Sequence, residues 1–319
     1  MLCGLGAFLP GRILTNSTLA EQLDTTDAWI CEHTGIRARH RVGPGTSTGD
    51  LATAAAGLAL ASAGATGVDA LVVGTTTPDR GCPATAPDVA ARLGLVGIAA
   101  FDVSAVCASF LYALGTAAGL IAAGTARRVL VVGAETFSGI VDPADRMAQA
   151  LFGDGAGAAV LRAGEPGEPG ALGPVLLGSD GRHRDLITIP VGERYFRMRG
   201  ADTFRHAVVR TSAVAKDAVR LAGWQLAEVD RFAAHQANAR ITAAVADLLG
   251  IPAGERRLAN IDLVGNTAAA SVPLLLAHCA ADGRLRAGHR TLLAAFGGGL
   301  AWGATTLVWP ELTAHIATA

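Results

Sequence analysis

Charge of either sign is nearly cancelled in this 319-residue chain: 26 basic and 27 acidic side chains leave a formal net charge of −1 at pH 7. Without a global cationic field, neither nucleic acid nor an anionic membrane surface is an expected partner, and any basic footprint must be local. Paired cysteines are missing as well. Cys3, Cys31, Cys82, Cys107 and Cys279 are odd in number and widely spaced, with no CxxC pair. That pattern argues against a disulfide framework or a zinc site and suits a reducing cytoplasm. The N-terminus, MLCGLGAFLPG, has neither the basic start nor the continuous apolar run of a secretory signal. Lys216 is the only lysine, a bias toward arginine that carries no mechanism.

What is present is apolar and glycine-rich. With 51% hydrophobic residues, 17% charged residues and 40 glycines, the composition fits a tightly packed enzyme, either two fused halves or one large α/β unit. The stretch from Val103 to Ala126 carries no charge and is long enough to span a bilayer. Ser104, Ser109, Thr116 and the interspersed glycines dilute it, and a helix apolar all round is equally expected inside a large protein, so it is read as a central buried helix.

The chain repeats itself. GVDALVVGTTT (67–77) and ARRVLVVGAET (126–136) have counterparts in EVDRFAAHQAN (228–238) and GHRTLLAAFGG (288–298), at offsets of about 161 residues. A third pair, FDVSAVCAS (101–109) and IDLVGNTAA (261–269), falls at an offset of 160 and reads as a short strand joined to a helix in each half. Continuous apolar strands alternate with helical stretches at 49–63, 84–94, 203–222, 238–249 and 267–282, which predicts sheets covered by helices. RAGEPGEPGALGP (162–174) is a surface connection by composition, dividing the chain into halves of 1–165 and 170–319.

Cys107 sits at the strand-to-helix junction of DVSAVCASFLYAL (102–114). A cysteine among apolar neighbours is ordinarily an inert core residue, yet a helix N-terminus lowers a thiol pKa and favours the reactive thiolate. The repeat places Cys107 and Asn266 at the openings of equivalent helices, where they could meet near a pseudo-twofold axis. His235 in HQANARI (235–241) alone would be a structural hydrogen-bonder, and Asn266 in VGNTAAAS (264–271) alone a turn residue. FGDGAGAAVL (152–161) lacks the GxGxxG spacing of a dinucleotide loop and reads as tight strand and turn packing.

Taken together, the Cys107 junction, HQANARI, VGNTAAAS and FGGGLAWG (296–303), with TTDAWICEHTGIRARHR (25–41), resemble β-ketoacyl-acyl carrier protein synthase III of the thiolase superfamily over nearly the whole chain. The resemblance implies a thiolase-like α/β fold with sheets layered between helices, α-β-α-β-α, and a homodimer. It implies that Cys107 accepts the acyl group and that His235 and Asn266 complete the catalytic set. The Cys107 and Gly298 backbone N–H groups would form the oxyanion hole. The chemistry agrees, because a thiolate is both nucleophile and leaving group, and an enolate born of malonyl decarboxylation needs neutral donors such as His and Asn N–H groups. No metal or organic cofactor is needed for that reaction; acyl-coenzyme A and malonyl-acyl carrier protein are the implied substrates.

By the same resemblance Trp29, His33, Arg37 and Arg146 would hold the nucleotide part of coenzyme A, and Phe204, Asn238 and Cys82 join the substrate-binding set. Arg205 and Arg240 would dock an acidic carrier protein. The chain departs from the family in having His33 where arginine is common, and Asp247 and Leu248 where a basic pair is frequent. Cys82 stands where acetyl-selective members have a phenylalanine that closes the partner's acyl pocket. Three rival readings are an acyltransferase passing the acyl group to an oxygen or nitrogen, a non-catalytic partner subunit, and a biosynthetic thiolase. Asn266 disfavours the first, the intact triad the second, and the apolar setting of Cys279 the third.

Overall fold

The computed structural model describes residues 1–165 and 167–319. Ten strands build its two main sheets. Five come early: Leu2–Leu9 (β1), Ala70–Gly74 (β2), Ala99–Val103 (β3), Arg128–Glu135 (β4) and Gly155–Arg162 (β5). The others are Leu176–Ser179 (β6), Arg231–Ala234 (β7), Arg290–Gly297 (β8), Ala301–Val308 (β9) and His315–Thr318 (β10). The first sheet runs β10-β1-β5-β4-β2-β3 and the second β7-β8-β9-β6. Six of the helices are Asp27–Thr34 (α1), Thr48–Ser62 (α2), Ser109–Ala122 (α3), Gly200–Leu221 (α4), Ala239–Leu248 (α5) and Ser271–Ala281 (α6).

The layers follow from where the apolar faces go. Leu51, Ala55 and Ala59 of α2 pack with Leu71, Val132 and Ala158 on the outer face of the first sheet. Phe110 and Leu114 of α3 and Leu274 and Leu275 of α6 fill the space between the sheets. Val219 and Val245, from α4 and α5, pack with Phe232 and Leu292 on the outer face of the second sheet. The order is α-β-α-β-α, as expected from the sequence. The uncharged Val103–Ala126 stretch holds the 14-residue α3, only ~21 Å long at 1.5 Å per residue, and buried between two sheets. Among the described residues no helix is long and apolar enough to cross a membrane.

The repeat has a structural cause. β2 and β4 pair in parallel, as do β7 and β8. In each half the aspartate of a Val-Asp pair ties the start of one strand to the next. The Asp69 carboxylate accepts the Arg128 N–H at 2.8 Å, and the Asp230 carboxylate accepts the Arg290 N–H at 2.9 Å. The third pair departs from expectation: Ile261–Val264 is a helical turn, not a strand. The true correspondence there is an offset of 162, since α3 and α6 begin at Ser109 and Ser271, and the preceding turns place Val106 at φ +49° and Ala268 at φ +43°. A β-branched valine at positive φ is strained and persists only because its surroundings hold it. The pseudo-equivalent of Cys107 is therefore Ala269, while Asn266 lies just before the second turn.

The connection at 162–174 includes Pro166, outside the described residues, and is tied to both sheets: Gly170 N–H donates to Val308 and the Gly170 carbonyl accepts from Leu2. The last strand, β10, returns to pair with β1 in the first sheet.

Candidate active site

Cys107 lies in a single turn of 3-10 helix, Val106–Ala108, between β3 and α3. The turn rests on the end of β8, where a Cβ on Gly297 would come within 2.7 Å of the Cys107 nitrogen and 2.8 Å of the Ala105 carbonyl. Only a residue without a side chain lets β8 approach so closely. Gly298, next along the chain, lies beside Val106 of the same turn. On the other side the Ser109 hydroxyl accepts the Ala105 N–H at 2.8 Å and closes the turn.

His235 follows β7 directly, and its N–H donates to Ala294 of β8 at 2.8 Å. Its ring is buried, and neither nitrogen has a hydrogen-bond partner among the described residues. An unpartnered buried imidazole is costly, so two unused nitrogens facing a cavity mark a group held for a ligand. Burial pushes its pKa down to about 3, which keeps the ring neutral and leaves one N–H to donate.

Asn266 is oriented by its own carboxamide oxygen, which accepts the Ala268 N–H at 2.9 Å. That bond assigns the amide and leaves its NH₂ as donor, with one long contact of 3.4 Å to the Ala237 carbonyl. The backbone of Asn266 is fixed in turn by Leu151 and Gly153. Cys107, His235 and Asn266 all line one cavity of about 490 Å³. Two backbone turns and a strand end, distant in sequence, thus bring together a thiol and two neutral donors.

The thiol itself departs from expectation. A helix start should lower its pKa, and the Cys107 N–H does pull downward, but burial, followed by the charge of Glu135, pushes the thiol up instead. Desolvation outweighs the backbone dipole at this thiol. Glu135, which the sequence reading did not single out, is fully buried at the end of β4 and accepts from Thr76 N–H at 3.0 Å and Thr77 Oγ1 at 2.7 Å. Burial raises its carboxyl to about 7 despite those donors.

Two family profiles match the chain: 3-oxoacyl-[acyl-carrier-protein (ACP)] synthase III over residues 101–181 and its C-terminal counterpart over 219–309. The chain belongs to the 3-oxoacyl-[acyl-carrier-protein] synthase III family. It is 56% identical to β-ketoacyl-[acyl-carrier-protein] synthase III 3 of Streptomyces coelicolor, with 98% of each chain covered. The solved 3-oxoacyl-(acyl carrier protein) synthase III of Pseudomonas aeruginosa PAO1 superposes with a TM-score of 0.95 at 52% identity over 98% of each chain. The priming β-ketosynthase of the R1128 polyketide pathway superposes at 0.91 with 34% identity, over 97% of this chain and 96% of that one.

The other candidate residues divide between the cavity mouth and the surface. Trp29 and His33 of α1 stack with ring centroids 4.4 Å apart, and the Arg146 guanidinium lies 4.4 Å over the Trp29 ring, anchored by a 2.7 Å bond to the Asp24 carbonyl. His33, Phe204, Asn238 and Arg240 line the mouth. Asn238 caps α5 through the Arg240 N–H at 2.8 Å and donates to the His33 carbonyl at 2.9 Å, fixing one side of the opening. Arg37, Arg205 and Cys82 are exposed and do not line the cavity of this chain. Arg205 is 3.8 Å from Asp202, and Asp247 is engaged with Arg257 at 2.6 Å, leaving Leu248 exposed beside it.

Much of the cavity wall escaped the sequence reading. Phe152 and Phe196 line it, and with Phe137 they form a stacked and edge-on aromatic cluster at 4.1 to 5.1 Å beside Cys107. Phe152 opens FGDGAGAAVL, a segment read as packing; its Asp154 accepts from Ser138 and Val42 and serves that packing.

Proposed function

We infer that this chain catalyses decarboxylative Claisen condensation, priming a fatty-acid or polyketide chain. The observation that carries the reading is the shared cavity of Cys107, His235 and Asn266, in which both donors are neutral and the Asn266 amide is oriented by its bond to the Ala268 N–H. The Cys107 thiolate attacks the starter thioester, and the coenzyme A thiolate leaves, taking up the proton that Cys107 gave up. A malonyl thioester then loses CO₂, and its enolate oxygen is held by the His235 and Asn266 N–H groups while its carbon attacks the acyl-Cys107 carbonyl. The Cys107 thiolate departs and the 3-oxoacyl thioester is released. Backbone N–H groups of Cys107 and Gly298 are the donors to the carbonyl oxygen in both acyl transfers.

Formation of the thiolate is the costly step in a site that raises the thiol pKa, and substrate entry, by positioning the carbonyl in the backbone donors, offsets it. The Arg146–Trp29–His33 stack suits the adenine and phosphates of coenzyme A, and Arg205 and Arg240 suit an acidic carrier protein arriving at the mouth. Exposed Cys82 belongs to this scheme only in a homodimer, where the small thiol leaves the end of the partner's acyl pocket open to starters longer than acetyl. A reducing cytoplasm suits the free thiol nucleophile. The reaction needs no metal or organic cofactor.

The test is intact-protein mass spectrometry with a panel of acyl-coenzyme A starters, followed by malonyl-acyl carrier protein and detection of the 3-oxoacyl product. Wild type should gain one acyl mass and lose it on condensation, and Cys107→Ala should do neither. Acyl mass persisting on Cys107→Ala at the wild-type rate would refute the assignment.

A further inference from the structure

The cavity does not end at the catalytic groups. Its lining also runs between α4 and α5, over a floor made by Ala234 and Ala294, which are directly paired across β7 and β8. One wall is Thr203, Ala207 and Thr211, at successive four-residue steps along α4, and the facing wall includes Val245 of α5. Four-residue spacing puts the α4 residues on one helix face, and their span is ~12 Å at 1.5 Å per residue. All six are buried, at 5% exposure or less.

This space is built by small side chains where a packed core would place large ones. Leucine at Ala207 or Ala294 would fill it, and nothing in the secondary structure forbids leucine there. Thr203, only 5% exposed, lines the cavity, and its hydroxyl has no hydrogen-bond partner among the described residues, as the His235 ring has none. No charged side chain lies among these six wall and floor residues, so a carboxylate or phosphate would lose its hydration without compensation. A hydrocarbon chain loses nothing and gains about fourfold in affinity for each methylene buried.

We propose that the α4–α5 branch is an acyl-chain subsite, taking a linear saturated chain that enters past His235 while the thioester remains at Cys107 and Asn266. The proposal rests on the condensing-enzyme reading and names a substrate class for it: acyl groups longer than acetyl. It is separate from the effect of Cys82, which lies outside this cavity. The chain has two chemical sources, the starter bound to Cys107 or a 2-alkyl substituent on the malonyl extender, and both have the same apolar tail.

The experiment compares wild type with Ala207→Leu, which fills the branch, and Thr211→Ala, which enlarges it, after thermal melts verify folding. One arm measures acylation of Cys107 by acetyl- and octanoyl-coenzyme A; the other measures condensation of an acetyl starter with malonyl- and 2-hexylmalonyl-acyl carrier protein. Burial of two or more methylenes is at stake, so Ala207→Leu should lower the long-to-short ratio of kcat/KM at least tenfold in one arm, and Thr211→Ala should raise it. A change in the first arm assigns the branch to the starter, and a change in the second assigns it to the extender. Ratios unchanged in both arms for both variants would overturn the subsite. Wild type that accepts no acyl group from either thioester would instead overturn the condensing-enzyme reading, an outcome distinct from the first.

Discussion

Asn266 has two separable duties, and two substitutions separate them. In Asn266→Ala the enolate loses one of its two side-chain donors, which for a preorganised oxyanion donor costs about 10²–10³ in rate. The same change removes the acceptor of the Ala268 N–H, at 2.9 Å in a fully buried turn, and an orphaned buried N–H costs about 1–3 kcal/mol of stability. Ala268 sits at φ +43°, so the lost bond also frees a strained residue. Asn266→Asp keeps an oxygen for the Ala268 N–H and, when ionised, presents no donor to the enolate. At pH 8, therefore, both variants should lose malonyl decarboxylation by about a hundredfold or more. Both should melt below wild type, the alanine variant through the orphaned Ala268 N–H and the aspartate variant through its buried carboxylate, and acylation of Cys107 should persist in both. The assays are release of CO₂ from malonyl-acyl carrier protein, acyl mass on the intact protein, and thermal melting. Equal loss of acylation and decarboxylation in the aspartate variant, assayed well below its melting temperature, would refute the division of labour.

Gly297→Ala should place a Cβ within 2.7 Å of the Cys107 nitrogen and displace the nucleophile turn, so acylation should fall at least tenfold; kcat/KM within twofold of wild type would show that the turn yields freely. Because Cys82 replaces a phenyl ring with a thiol, wild type should prefer starters of four to six carbons, at about fourfold per methylene, and Cys82→Phe should restore acetyl preference; an acetyl-preferring wild type unchanged by the substitution would end that idea. His235 remains neutral in the fold down to about pH 3, whereas the unfolded chain takes up the proton near 6.5. The unfolded state thus binds more protons between those values, so stability rises with pH there and is lost as acid is added. Between pH 7 and 5 wild type should lose roughly 2 kcal/mol more than His235→Asn by urea unfolding, and parallel losses in the two proteins would place the proton elsewhere.

The duplicated architecture was legible because each half repeats a local device: an apolar strand of buried residues, an aspartate that ties its neighbour, and a helix that opens at an equivalent serine. Such signals lie within a few residues of one another, and the paired Asp69 and Asp230 bonds show why the spacing is kept. The catalytic candidates were legible for the same reason, since Cys107, His235 and Asn266 each stand in a short segment of distinctive composition. The sequence also said where the chain turns glycine-rich, but not that Gly297 is needed for an approach of 2.7 Å to the Cys107 turn.

Only the tertiary structure decided the electrostatics. The local position of Cys107 at a helix start predicts a lowered thiol pKa, yet desolvation by residues from several elements and the buried charge of Glu135 reverse it. Ile261–Val264 became a helical turn, not a strand, although its segment aligns with one, because the Asn260 carbonyl accepts from both Leu263 and Val264 N–H groups. The aromatic wall of Phe137, Phe152 and Phe196 and the branch between α4 and α5 were invisible in the sequence. Their residues are ordinary apolar or small side chains, and a cavity is the space that side chains from separate elements fail to fill, a property that no single segment possesses.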